Sequence, residues 1–170
     1  MSQQGTAVRD ADQHAADAVV AHHAEMRERL AELVAHLLLA AERDDEPGVW
    51  RTRADLVAWI DDELMPHAQA EETTLYSAAV VTPEGNLLVE AMLDEHRAIG
   101  ALAQELEGAA VAIQAAATAR ALEALFAVHL AKENDLIIPL LLRTPDVSLA
   151  HLLHGMRQVL GEPDEPGDRT

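Results

Sequence analysis

The sequence predicts an all-α protein, an antiparallel up-down four-helix bundle with a short fifth C-terminal helix and a disordered tail. Three observations carry that prediction. Apolar residues make up 49% of the 170-residue chain but aromatics only 2%, so Ala, Leu and Val supply the core, a composition that suits packed helices better than strands. Apolar side chains recur at three- and four-residue spacing through four long stretches. Short segments rich in Pro, Gly and acidic residues separate those stretches. A chain of this length is one ordinary domain, here residues 10–160, followed by an acidic tail over 161–170.

The first helix is expected over 10–44, where Val19, His23, Met26, Leu30, Leu33 and Leu37 form a single apolar stripe. His23 lies inside the stripe, and His22 lies about 100° round from it, facing a neighbour or water. The acidic turn ERDDEPG (42–48) ends the helix. A second helix runs over about 51–80, with Leu56, Trp59, Ile60, Glu63 and Leu64 leading into HAQAEETTLY (67–76). Pro66 sits inside it and predicts either a break or a kink that aims His67. After the turn at 82–85, a third helix over 84–112 turns Leu88, Met92, Leu93, His96, Ile99 and Leu106 inward. The next break is expected at QAAAT (114–118), although alanine is helix-permissive. The fourth helix, 118–142, carries Leu122, Leu125, Phe126, His129, Glu133 and Ile137 on one side. RTPD (143–146) closes it, and an amphipathic fifth helix over 146–160 holds Val147, Leu149, Leu152, Leu153, Met156 and Leu160. The tail GEPDEPGDRT reads as disordered.

Composition excludes several functions. With 12 basic and 30 acidic residues the formal charge is −18, which repels nucleic acid and anionic membranes. The absence of cysteine excludes disulfides, thiolate metal sites, iron–sulfur clusters and Cys nucleophiles. No apolar run is long enough to span a bilayer, and the polar start MSQQGTAVRDADQHAAD lacks a basic n-region and an apolar h-region, so a soluble, cytoplasmic protein is expected.

The chemistry lies in two stretches, HAQAEETTLY and HLAKENDLIIP (129–139). Each has a His, a Glu four residues later and an aliphatic four beyond: His67, Glu71, Leu75 and His129, Glu133, Ile137. On a helix these share one face. Either pair alone is commonplace; their place in the bundle is not. Counted from a first turn at residue 47, His23 lies 24 residues before and His67 and Glu71 20 and 24 after. Similar counts around the other turns bring His96, His129 and Glu133 to the same level, within about one helical turn, ~6 Å at 1.5 Å per residue. Six polar groups converging in an Ala/Leu core need a cationic partner. They are too many for one tetrahedral zinc. They suit two adjacent octahedral ions with the two Glu bridging and four His outside, iron best, manganese or zinc also compatible. The ferritin-like arrangement requires Glu-x-x-His, and no His here has a Glu three residues before it. His14 and His36 are expected to be solvated, His151 and His154 to lie on the polar edge of the last helix, and Lys132 and Asp135 to be surface charges. Trp50, Trp59, Phe126 and the methionines read as core.

The order His, His-x-x-x-Glu, His, His-x-x-x-Glu, one element per helix, resembles the hemerythrin-like HHE cation-binding family over roughly residues 15–142. HAQAEETTLY, the Glu95-His96 pair and HLAKENDLIIPLL with Asn134 and Pro139 carry the likeness. The resemblance implies a non-haem di-iron centre with oxo or hydroxo and Glu bridges, held by His23, His67, Glu71, His96, His129 and Glu133, that binds or reacts with O2, NO or peroxide. Two departures separate the chain from the oxygen carriers proper: Gly100 stands where they have a second third-helix His, and Glu133 follows His129 at four residues where they use His-x-x-x-x-Asp. Glu72, Tyr76 or His22 are then the nearest candidates for an additional ligand. Redox catalysis is one expectation; a non-enzymatic iron or oxygen sensor, or an iron-storage protein, is the alternative.

Overall fold

The computed structural model describes the backbone of residues 3–161 and the side chains of residues 7–161; the expected tail, Gly161 apart, lies outside the described residues. Among these the chain is helical with no strand. Helix α1 spans Gln3–Glu42, α2 Glu46–Ala79, α3 Pro83–Glu107, α4 Ala112–Arg143 and α5 Leu149–Leu160. Helix α1 packs on α2 and α4, and α3 packs on the same two. With turns of only a few residues between them, neighbours run antiparallel and close a four-helix bundle. Helix α5 lies across α1 and the Met65–Tyr76 part of α2. No helix among the described residues is long and apolar enough to cross a membrane.

The turns are built from local capping chemistry. The Asp45 carboxylate accepts from the Gly48 N–H at 3.1 Å with Pro47 in the first turn of α2. The Thr82 hydroxyl accepts from the Gly85 N–H at 3.0 Å ahead of α3. Gly85 is required there, because a Cβ would lie 2.0 Å from the Ala79 carbonyl oxygen. Helix α5 begins at Leu149, not 146, because Asp146 turns the chain with φ 62° and the Ser148 hydroxyl caps the His151 N–H. Asp12 pins this end to α1: one carboxylate oxygen accepts from the Ser148 hydroxyl at 2.8 Å and from the Ala150 N–H at 3.0 Å. The third turn falls earlier than expected. Gly108 ends α3, Val111 is extended, and 114–118 is helical, since nothing in QAAAT opposes a helix whereas glycine does.

Neither proline breaks its helix. A π turn over Ile60–Leu64 precedes Pro66, and another over Glu133–Ile137 precedes Pro139. The widened turn lets the Met65 N–H bond the Ile60 carbonyl and the Ile138 N–H bond the Glu133 carbonyl, which relieves the clash each ring would make one turn back. A third π turn, Glu72–Tyr76, has no proline; there the Ser77 hydroxyl donates to the Glu72 carbonyl at 3.0 Å. Glu63, in the first of these π turns, is exposed.

The core divides in two. One cluster includes Met26, Leu30, Leu37, Leu64, Ile99, Leu122, Phe126 and Leu130; the other includes Val19, Ala70, Leu75, Met92, Ile137, Leu141 and Met156. On every long helix the candidate polar residues sit where one cluster gives way to the other: His23 between Val19 and Met26, His67 between Leu64 and Ala70, His96 between Met92 and Ile99, and Glu133 between Leu130 and Ile137. The bundle is thus two apolar plugs around one polar layer. Leu122, fully buried in the first plug, supports the bundle away from that layer. Leu122→Ala is expected to cost about 2–5 kcal/mol in urea unfolding and to leave the polar layer intact, read as unchanged metal stoichiometry.

Candidate metal centre

Each long helix delivers part of the polar layer: His23 from α1, His67 and Glu71 from α2, His96 from α3, His129 and Glu133 from α4. All six are buried, none more than 6% exposed. The two carboxylates stand between two pairs of imidazoles. Glu71 presents Oε1 to His67 Nε2 at 3.0 Å and His23 Nε2 at 3.3 Å, and Oε2 to His96 Nε2 at 3.7 Å. Glu133 presents Oε1 to His129 Nε2 at 3.4 Å and Oε2 to His23 Nε2 at 3.7 Å. Side-chain donors of Glu71, His96, His129 and Glu133 lie within 4.8 Å of one another, as do those of His23, His67 and Glu71. The two donor groups share Glu71, and Glu133 Oε2 reaches from the first toward His23 of the second.

Outer contacts orient the rings. His23 Nδ1 donates to Asn134 Oδ1 at 2.7 Å, His96 Nδ1 to Glu72 Oε1 at 2.8 Å, and His129 Nδ1 to Glu95 Oε2 at 3.1 Å. Lys132 forms an ion pair with the other oxygen of Glu95. With the proton held on Nδ1, each Nε2 turns a lone pair inward. His96 Nε2 and His129 Nε2 then face each other at 3.0 Å, an arrangement that a shared cation or a proton must relieve.

Electrostatics point the same way. Two carboxylates among neutral imidazoles place two negative charges in an apolar interior, which is costly without a counter-charge. Burial works against the charged form of His23, yet the adjacent carboxylate of Glu71, the charge of Glu133 and the bond to Asn134 raise its pKa above 6.5. Burial likewise opposes ionisation of Glu71, but His67 and His23 hold it well below 4.5. Burial, then the charges of Glu133 and Glu71, push the Tyr76 hydroxyl upward, so it stays protonated and donates to Glu133 Oε1 at 2.5 Å. His23 Nε2, both nitrogens of His67, Glu71 Oε1 and Glu133 Oε2 are buried with no hydrogen-bond partner. The residues present fit bound cations: unpaired nitrogen and oxygen donors, inward lone pairs and uncompensated negative charge.

The candidates for an extra ligand separate. Tyr76 reaches the centre, its hydroxyl 3.5 Å from His129 Nε2. Glu72 does not, because its carboxylate stands behind His96. His22 is exposed, its ring centroid 5.1 Å from that of His67, outside the donor groups. Lys132, expected as a surface charge, is half-buried against Glu95. In the sequence Glu95 and Asn134 hold only motif positions and Lys132 reads as a surface charge. Adjacency to His96 and to Glu133 was the sole signal, because their partners lie on other helices. His14, His36, His151 and His154 are exposed, Trp50 and Trp59 only half-buried.

The family model of the hemerythrin HHE cation binding domain matches residues 14–141. No curated protein and no solved structure matches the chain.

Two outcomes follow for the centre. Asn134→Ala frees the His23 ring and is expected to weaken metal affinity about 10–100-fold, measured by competition with a chromophoric chelator. In metal-free protein, the stability His23 contributes is complete below about pH 6.5 and is lost as pH rises through its raised value. The contribution of Glu71 is complete above about pH 4.5 and is lost as pH falls through its lowered value. Melting of the chelated protein is therefore expected to peak between these limits, and a steady rise toward pH 8 would contradict it.

Proposed function

Because the chain belongs to the hemerythrin HHE cation-binding domain family, we propose that it is a non-haem di-iron protein that binds or reacts with O2, NO or peroxide. The observation that carries this reading is the sharing of Glu71 and Glu133, each with one oxygen toward each imidazole pair. One ion would be held by His23 and His67, the other by His96 and His129, with both carboxylates common to the two. The nitrogen and oxygen donor set favours iron, with manganese or zinc as alternatives. When bound, the metal pair supplies two-electron redox capacity and positions for a small ligand, since six protein side chains leave two octahedral ions short of full coordination.

The chain's own residues shape that chemistry. The apolar plugs exclude bulk water from the layer and strengthen its electrostatics. Asn134, Glu72 and Glu95 hold three rings with their Nε2 inward. Tyr76 keeps a proton on its hydroxyl beside Glu133 and is the group placed to donate a hydrogen bond into the centre. The departure at Gly100 and the hydroxyl of Tyr76 favour reaction over simple oxygen carriage. A sensor or storage role rests on the same unpaired buried donors, because loss of metal from such a layer should loosen the bundle.

Elemental analysis of the purified protein beside Glu133→Ala is the decisive test. About two irons per chain, lost in the variant, is the expected result; a folded protein that refuses ferrous iron under argon would overturn the proposal. Removing metal should lower the Tm by roughly 10 °C, from about 4 kcal/mol at ~3 °C per kcal/mol. Peroxide turnover lost in Glu133→Ala marks an enzyme, and a structural change without turnover marks a sensor.

A further inference from the structure

The two halves of the polar layer differ in what stands behind their imidazoles. His96 Nδ1 meets a carboxylate oxygen of Glu72 at 2.8 Å, and His129 Nδ1 meets one of Glu95 at 3.1 Å. Lys132 holds Glu95 in place through its ion pair with the other oxygen. In the opposite half, His23 Nδ1 meets the neutral amide oxygen of Asn134 at 2.7 Å, and His67 has no hydrogen-bond partner on either nitrogen among the described residues. The inner donors differ as well. Those of Glu71, His96, His129 and Glu133 gather four together, whereas His23 and His67 gather with Glu71 alone. His96 Nε2 and His129 Nε2 also stand 3.0 Å apart. Two imidazole nitrogens at right angles on one ion, each ~2.1 Å from it, are separated by about the same distance.

We propose that the centre loads its metals in a fixed order: the first ion goes to His96 and His129, and the His23–His67 position is the weaker one, filled second and emptied first. The inference rests on the two-metal reading and adds to it the positioning residues that set the order, Glu72 and Glu95, with Lys132 steadying Glu95. A carboxylate behind an imidazole strengthens it as a metal ligand more than a neutral amide does. Its charge also adds to the attraction that an incoming cation feels. The outer partners of the His96–His129 half bring two carboxylates against one ammonium, while Asn134 brings no charge to the other half. Four gathered donors against three act in the same direction. At limiting metal the protein therefore carries one ion, and the His23–His67 position stays free to take a second, different one.

The test is anaerobic titration of manganese(II) into metal-free protein, followed by calorimetry and electron paramagnetic resonance, in wild type, Glu95→Gln and Asn134→Ala. Wild type should take up two ions in steps at least about tenfold apart in affinity. At one equivalent the resonance should be that of isolated ions, with the spin-coupled pair arising only as the second ion enters. Glu95→Gln should weaken the tighter step about 10–100-fold and close the gap, whereas Asn134→Ala should weaken the looser step and widen it. A general folding defect would weaken both steps alike, so the direction of the gap isolates the outer residues. Two equal steps in wild type, a coupled pair already dominant at one equivalent, or a gap that Glu95→Gln leaves unchanged would each overturn the order while the two-metal reading stands. A wild type that binds no ion sinks both.

Discussion

Two carboxylates enclosed with four imidazoles between two apolar plugs set the terms for the rest of the molecule. Glu71 and Glu133 are almost fully buried, and burial works against the charged form of Glu71. Facing imidazoles hold Glu71 ionised instead, at the expense of raising His23. The layer tolerates this because four helices deliver its members to one level, where imidazoles face both carboxylates. A centre of this kind is poorly satisfied by protein atoms alone, which is why the chemistry of the donor set, and not the fold, argues for cations.

The inner and outer contacts divide the work. Inner donors come from positions that each helix also uses for its apolar stripe, so their inward direction follows from the same periodicity that buries Leu and Ile. Outer partners come from neighbouring positions about 100° round the helix, and each reaches across to a different helix: Asn134 to His23, Glu72 to His96, Glu95 to His129. The bundle's interlock is therefore chemical as well as steric. The π turns belong to the same design. Two absorb Pro66 and Pro139 without breaking the helix, beside His67 and at Glu133, and the third starts at Glu72. Widened turns at these places let a helix change phase beside a site.

The centre is not symmetric. Three rings are backed by side chains of the bundle, while the fourth, His67, has no such partner and borders a cavity under α5. That helix is anchored by Asp12, capped by Ser148 and ended by Gly161 in the left-handed conformation. Its apolar face joins the second plug through Leu149 and Met156. An addition outside the four-helix frame thus decides the environment of one candidate ligand.

Helical periodicity and the four-residue spacing of His67–Glu71 and His129–Glu133 are local properties, and they determined the fold class, the HHE resemblance and the choice of six candidate residues. Residues four apart share a helix face whatever the helix packs against. Tertiary structure decided what depends on a neighbour. Lys132 looks like a surface charge until α3 and α4 lie side by side and bring Glu95 to it, and Glu72 looks like a ligand until His96 stands in front of it. The third turn moved to Gly108 because an alanine-rich stretch is permissive and only competition with a glycine places the break. Likewise a proline in sequence predicts a lost hydrogen bond, but whether the helix breaks, kinks or widens depends on packing that holds both halves in line.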